Sequence, residues 1–268
     1  MRSTAAVTGL AAGVPYLALP PQNHTGPAPL VVTWHMMDPP RTEAAMAAAV
    51  PMAGLPAWRV HFGLPMFGSR VPEGGPEAFY ALAGQDYVLN VAGPVTERAA
   101  DEFPAAVREL RRTLSIVDGP VGVVGGSAGG AVALEVMARA EVPITAAGLV
   151  NPVTTLAAVV AANERRYGVT YTWTERSRAV ADRLDFVRRA DELPGEVLLV
   201  LGGLDDISVT EPAARLAAAL GGRGHLVTVD DLEHALAEEP GVDPAPQTPA
   251  AVTADAALTD WFRSRLTG

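Results

Sequence analysis

Val121-Gly122-Val123-Val124-Gly125-Gly126-Ser127-Ala128-Gly129-Gly130 decides the reading of this chain. A short apolar run ends in glycines, and a serine stands with a glycine two residues away on each side. That G-x-S-x-G spacing puts a serine on a tight strand-to-helix turn with its hydroxyl exposed. Small neighbours are required because the turn folds the backbone back beside the side chain. With 7 Ser and 26 Gly in the chain, chance supplies about 0.07 such matches. The competing reading is a glycine-rich turn packed for structural reasons, and the flanks weaken it. Ala131 to Arg139 carries a broad apolar helical face. Strand, motif and helix therefore follow in the required order, with Ser127 as candidate nucleophile.

Outward from this motif, strands and helices alternate. Strands are expected at Leu30–Trp34, Trp58–Phe62, Ile144–Leu149, Val197–Leu201 and Leu226–Val229. Ala5-Ala6-Val7 and Val14–Leu19 read as a β-hairpin. Helices are expected at Glu43–Val50, Ala105–Ile116, Pro212–Leu220 and Thr248–Leu266, and a Pro/Gly-rich loop at Leu64–Pro76. Alternation of this kind implies βαβ units and a mostly parallel sheet. The stretch 151–193 is long for one crossover and mostly helical in pattern. Two readings stand side by side for it, a small helical cap and two ordinary surface helices. The rest reads as a single α/β domain over 1–268.

Composition narrows the function. The chain has 268 residues, 49% hydrophobic, with a formal net charge of −10. That charge argues against nucleic acid, whose phosphates it would repel. No apolar stretch is long enough to span a bilayer. All 20 basic residues are Arg, a mark of coding bias more than of mechanism. With 0 Cys there is no thiol nucleophile, no disulfide frame and no Cys-based metal site. Met1-Arg2 and the Ala/Gly-rich stretch after it make a poor signal segment, since Thr8, Gly9, Gly13 and Pro15 interrupt it. The reading favours a cytoplasmic protein over a secreted one.

A serine hydroxyl needs a base, and the base needs a third group to fix its tautomer. Catalytic groups of α/β sheets collect at the carboxyl ends of strands. Of the five histidines, His35 and His234 follow strand ends, whereas His24, His61 and His225 do not. Only His234 also follows both the serine and a candidate acid. Asp205 and Asp206 are the acid candidates, directly after the Val197–Leu201 strand. The order Ser127, Asp205 or Asp206, His234 sets each member at a later strand end.

With these residues in place, the sequence resembles the α/β-hydrolase fold superfamily, specifically its esterase and prolyl-oligopeptidase-like serine hydrolases. The resemblance rests on Gly125–Gly130, Leu199–Asp205 and Glu233-His234-Ala235, and covers nearly the whole chain, with 151–193 least matched. It implies a sheet of about eight strands flanked by helices. It puts the acid three residues after Gly202, at Asp205, with Asp206 as runner-up if counted from Gly203. It also implies an oxyanion hole made by the N–H groups of Ala128 and Met37. The second comes from Trp34-His35-Met36-Met37-Asp38, where Met36 replaces the family's glycine and His35 reads as a brace for the loop. No metal or organic cofactor is implied. The expected substrate is a small carboxylic ester, with a peptide or amide second and a thioester third. A ligand-binding scaffold without catalysis is the alternative of another class. Trp34, Met36, Met37, Tyr167, Tyr171 and Trp173 are candidates for an apolar acyl pocket, or for core and cap packing.

Overall fold

The structure, a computed structural model, describes residues 5–22, 24 and 26–266. Met1 and Arg2, weighed above as the head of a signal segment, lie outside the described residues. Eight strands form one sheet: β1 (Val7–Ala11), β2 (Val14–Leu19), β3 (Leu30–Trp34), β4 (Trp58–Phe62), β5 (Val121–Gly126), β6 (Ile144–Val150), β7 (Glu196–Gly202) and β8 (Gly224–Val229). Their spatial order is β1-β2-β4-β3-β5-β6-β7-β8. β2 runs antiparallel to both β1 and β4, and every other pairing is parallel. β1 lies later than the expected Ala5–Val7. Its two-residue turn, Ala12-Gly13, has positive φ at both positions (49° and 85°), as a tight hairpin requires.

Helices cover both faces of the sheet. They are α1 (Glu43–Ala49), α2 (Gly75–Tyr87), α3 (Gly93–Thr113), α4 (Ala128–Arg139), α5 (Leu156–Tyr167), α6 (Glu175–Arg183), α7 (Ile207–Leu220) and α8 (Pro249–Leu266). Alternate residues of a strand feed two cores. Val123, Leu199 and Leu201 pack with Phe103 and Leu110 of α3, Leu134 of α4 and Leu216 of α7. Val124, Leu198 and Val200 pack with Met46 of α1 and with Leu258 and Phe262 of α8. This two-sided burial is why the central strands read as unbroken apolar runs.

Three helices depart from expectation: α2 is not among those expected, α7 begins at Ile207 and not Pro212, and α3 starts early. The spacing predicts a helix over 105–116, but α3 begins at Gly93 and runs through Pro104. An interior proline costs about 3 kcal/mol of helix propensity. Here Val95, Ala99, Phe103, Ala106, Val107 and Leu110 line one buried face across it, and that burial offsets the loss. A π-helical turn, Val88–Ala92, joins α3 to α2.

Candidate active site

The carboxyl ends of four strands meet at one place. β5 leads into Ser127, β7 into Asp205, β8 into the loop that carries His234, and β3 into His35-Met36-Met37-Asp38. Ser127 sits between β5 and α4 with φ 47° and ψ −117°, a conformation that costs a residue with a Cβ. The surrounding glycines are steric necessities. A Cβ on Gly125 would collide with the Gly129 backbone, and one on Gly129 would collide with the carbonyls of Trp34 and His35.

Ser127 Oγ–H donates to His234 Nε2 at 2.9 Å. On the other side of the ring, His234 Nδ1–H donates to Asp205 Oδ2, also at 2.9 Å. The Asp205 carboxyl is almost wholly buried, with 2% of its side chain exposed. Asp206 does something else. Its carboxylate accepts from the Ser208 N–H at 2.8 Å and hydroxyl at 2.6 Å, capping α7. Burial alone would pull the His234 imidazole down. The hydrogen bond and charge of Asp205, with the charge of Asp38, outweigh that and the opposing Arg166, so the ring titrates above its ordinary value.

The β3 loop is braced from within. His35 is fully buried. Its Nδ1–H donates to the Met36 carbonyl at 2.7 Å, and its Nε2 accepts the Leu64 N–H at 2.9 Å. Burial, helped by the Arg70 charge and only partly opposed by the Met36 bond, pushes it down to about 4, so it stays neutral. Met36 N–H donates to the Pro40 carbonyl at 3.1 Å. Neither Met36 nor Met37 has positive φ, so nothing in this loop demands the glycine that the resemblance expects. The methionine side chain has a use of its own. It packs on Gly126, where an added Cβ would come within 2.7 Å of Met36 Cγ. Among the described residues, the N–H groups of Met37 and Ala128 donate to no protein acceptor.

Sequence reasoning missed Asn151. It follows β6, is fully buried, and has φ 44°. Its Nδ2 donates to the carbonyls of Glu233 (2.8 Å) and His234 (3.1 Å), while its Oδ1 accepts the Gly202 N–H at 2.7 Å. One side chain thus ties the His234 loop to the strand end before Asp205. The available signal was its position, a polar residue at the carboxyl end of β6, the strand between those that lead into Ser127 and Asp205. The suggested acyl pocket is redrawn. Trp34 is 2% exposed and packs at a tilt against Phe62 and Phe103, with ring centroids 6.1 and 5.3 Å away, and Met36 is buried. Both belong to the interior. Among the described residues, no three His, Asp or Glu side chains gather as metal ligands would, and no helix is long and apolar enough to cross a membrane.

A family model described as the prolyl oligopeptidase family matches residues 81–239, more than half of the chain. The chain belongs to the prolyl oligopeptidase family. Its fold is the α/β-hydrolase fold. No curated protein matches its sequence. Among solved structures it is similar to a puromycin-hydrolyzing peptidase of Mycobacterium tuberculosis (18% identity, TM-score 0.69, 98% of this chain and 40% of that one). It is similar to the acylaminoacyl peptidase of Pyrococcus horikoshii (14%, TM-score 0.64, 94% and 39%). It is also similar to an esterase domain of a Rhodothermus marinus protein (18%, TM-score 0.60, 98% of each chain). The chain thus spans about two fifths of either peptidase and nearly all of the esterase domain.

Proposed function

We propose that this prolyl oligopeptidase family member hydrolyses small carboxylic esters through an acyl-enzyme on Ser127. The observation that carries this reading is the unbroken hydrogen-bonded series Ser127–His234–Asp205. His234 Nε2 takes the hydroxyl proton as Ser127 Oγ bonds to the carbonyl carbon. The N–H groups of Ala128 and Met37 receive the oxyanion, supported by the fact that neither is spent on a protein acceptor. Loss of one such donor typically costs about 3–4 kcal/mol of barrier. The tetrahedral species collapses, the bond to the leaving oxygen breaks, and His234 returns the proton to that oxygen. Water then attacks the acyl carbon with His234 again as base, and Ser127 regains its proton as the acid leaves. Asp205 holds the imidazole in the tautomer with Nδ1–H and stabilises its charged form.

A second reading, peptide or amide hydrolysis, is favoured by the family match and by the two peptidase neighbours. It uses the same residues but asks His234 to protonate an amine. A matched ester and anilide of one acyl group separate the two. Ester cleavage with no anilide cleavage supports the first, and comparable kcat/KM supports the second. Labelling of Ser127 by a fluorophosphonate, lost in Ser127→Ala, tests the nucleophile. Unchanged turnover in Ser127→Ala would sink both readings.

We also read 151–193 as a small cap on the single domain. In support, Arg165 of α5 comes within 3.9 Å of Asp206 at the strand ends, and Tyr171 O–H donates to Asp86 at 2.6 Å. The cytoplasm remains the favoured compartment on the sequence argument alone.

A further inference from the structure

Asp38 holds a place that the proposed reaction does not use. Its Oδ2 lies 3.6 Å from His234 Nε2, the nitrogen that receives the Ser127 proton, and half of its side chain is exposed. It directly follows Met37, whose N–H faces no protein acceptor. The arginine nearest to it in sequence is Arg41. That guanidinium is already spent. It donates to both oxygens of Glu239 (2.6 and 3.0 Å), to the Pro240 carbonyl (2.5 Å) and to the Met37 carbonyl (3.1 Å). Among the described residues, the one ion-pair partner of Asp38 is therefore His234, which must be neutral to act as base. The charge of Asp38 reaches His234, Arg41 and the Tyr87 hydroxyl. The opposing charge at His234 is Arg166, which lies 5.7 Å above the Tyr167 ring. Glu239, 71% exposed, is held by Arg41, and Asp206 is committed to α7 and Arg165.

A carboxylate beside the reacting atoms, with no arginine in direct ion-pair contact among the described residues, selects ligands by charge. We propose that Asp38 is a specificity residue that receives a substrate ammonium within one or two bonds of the scissile carbonyl, as in an aminoacyl ester or amide. This rests on Ser127 being the nucleophile. It adds a preferred acyl class: aminoacyl over neutral, and neutral over anionic. An anionic acyl group would face Asp38 across the same short distance and be repelled.

The test compares benzyl esters of alanine, propionate and hydrogen succinate at pH 7 with the full chain, wild type and Asp38→Asn. The proposal expects kcat/KM to fall in the order alanine, propionate, succinate. In Asp38→Asn the alanine-to-propionate ratio should drop at least tenfold, and Asp38→Glu should restore part of it. A merely structural role lowers all three esters together and leaves the ratio where it was, which overturns the proposal. If no ester is cleaved, the ester reading fails on its own, and labelling still decides the subsite. Benzylamine should protect Ser127 from a neutral fluorophosphonate in the wild type at a concentration at least tenfold below that needed in Asp38→Asn. Equal protection overturns the assignment.

Discussion

The Asp206 N–H donates to Oδ1 of Asp205 at 2.6 Å, so these adjacent aspartates hold each other while facing different partners. Asp205 uses its other oxygen on His234, and Asp206 turns outward to cap α7. Their substitutions should therefore separate cleanly. Asp205→Asn is expected to lower kcat by about 10³–10⁴-fold through loss of the correct imidazole tautomer. Asp206→Ala is expected to cost about 1 kcal/mol of stability through the lost cap and to change kcat little. Urea unfolding and ester hydrolysis on both variants check this, and an active Asp205→Asn would refute it.

Asn151 should behave as a positioning residue. Asn151→Ala strands the buried Gly202 N–H and frees the Glu233 and His234 carbonyls. A buried donor left unsatisfied costs roughly 1–3 kcal/mol. The variant should lose that much stability. Its kcat should fall at least tenfold as His234 drifts from Ser127, while KM moves less. Steady-state kinetics beside thermal melts decide it, since a destabilised variant with full kcat would show that the tie is purely structural.

How far the sequence reached follows from what each feature depends on. The central strands were legible because burial on both faces makes them uniformly apolar. α2 and the first half of α3 were not, because α2 buries none of its residues and Pro104 reads as a helix break. Strand ends located Ser127, His234 and the Asp205-Asp206 pair. The spacing could not choose between the aspartates, because only side-chain direction separates them. Met36 drew attention as a missing glycine. Its real partner, Gly126, lies on another strand, and no local pattern announces such a contact. Asn151 went unread for the same reason, since its partners lie at Gly202 and at residues 233–234.

The pH profile should carry the mark of the carboxylates around His234. The ring must be neutral to accept the Ser127 proton, so kcat/KM falls as pH drops through its pKa in the free enzyme. Asp205 and Asp38 raise that pKa against burial, which puts the acid limb above the ordinary histidine value of about 6.5. Removing the charge in Asp38→Asn should move the limb to lower pH for a neutral ester. A limb that stays in place would exclude Asp38 from the field felt by His234.

His61 should make the fold acid-sensitive. It is fully buried on β4, and among the described residues neither ring nitrogen has a hydrogen-bond partner. Burial, with Arg59 nearby, pushes it down to about 3. An unfolded chain protonates this histidine below about pH 6.5, so between that pH and about 3 the unfolded state binds the extra proton. Stability then falls as pH falls, by up to about 1.4 kcal/mol per pH unit from this group. His35 adds a similar term down to about 4. His61→Leu should flatten the decline in Tm below pH 6.5 by its own share and leave that of His35. An unaltered slope would mean that His61 is already protonated in the folded protein.

Ser127 should cost stability for the sake of its place. Its φ of 47° is strained for any residue with a Cβ, typically by about 1–3 kcal/mol. Ser127→Ala keeps the Cβ and so keeps the strain. Ser127→Gly removes it, at a cost of roughly 0.5–1 kcal/mol in backbone entropy. The expected net result is that Ser127→Gly is about 1 kcal/mol more stable than Ser127→Ala, although both have lost the hydroxyl and should be inactive. Urea midpoints of the two variants measure the difference directly. A Ser127→Gly variant less stable than Ser127→Ala by the full entropy cost of roughly 0.5–1 kcal/mol would show that the turn holds no strain at this residue, and that Gly125 and Gly129, through their close backbone approaches, set its shape alone.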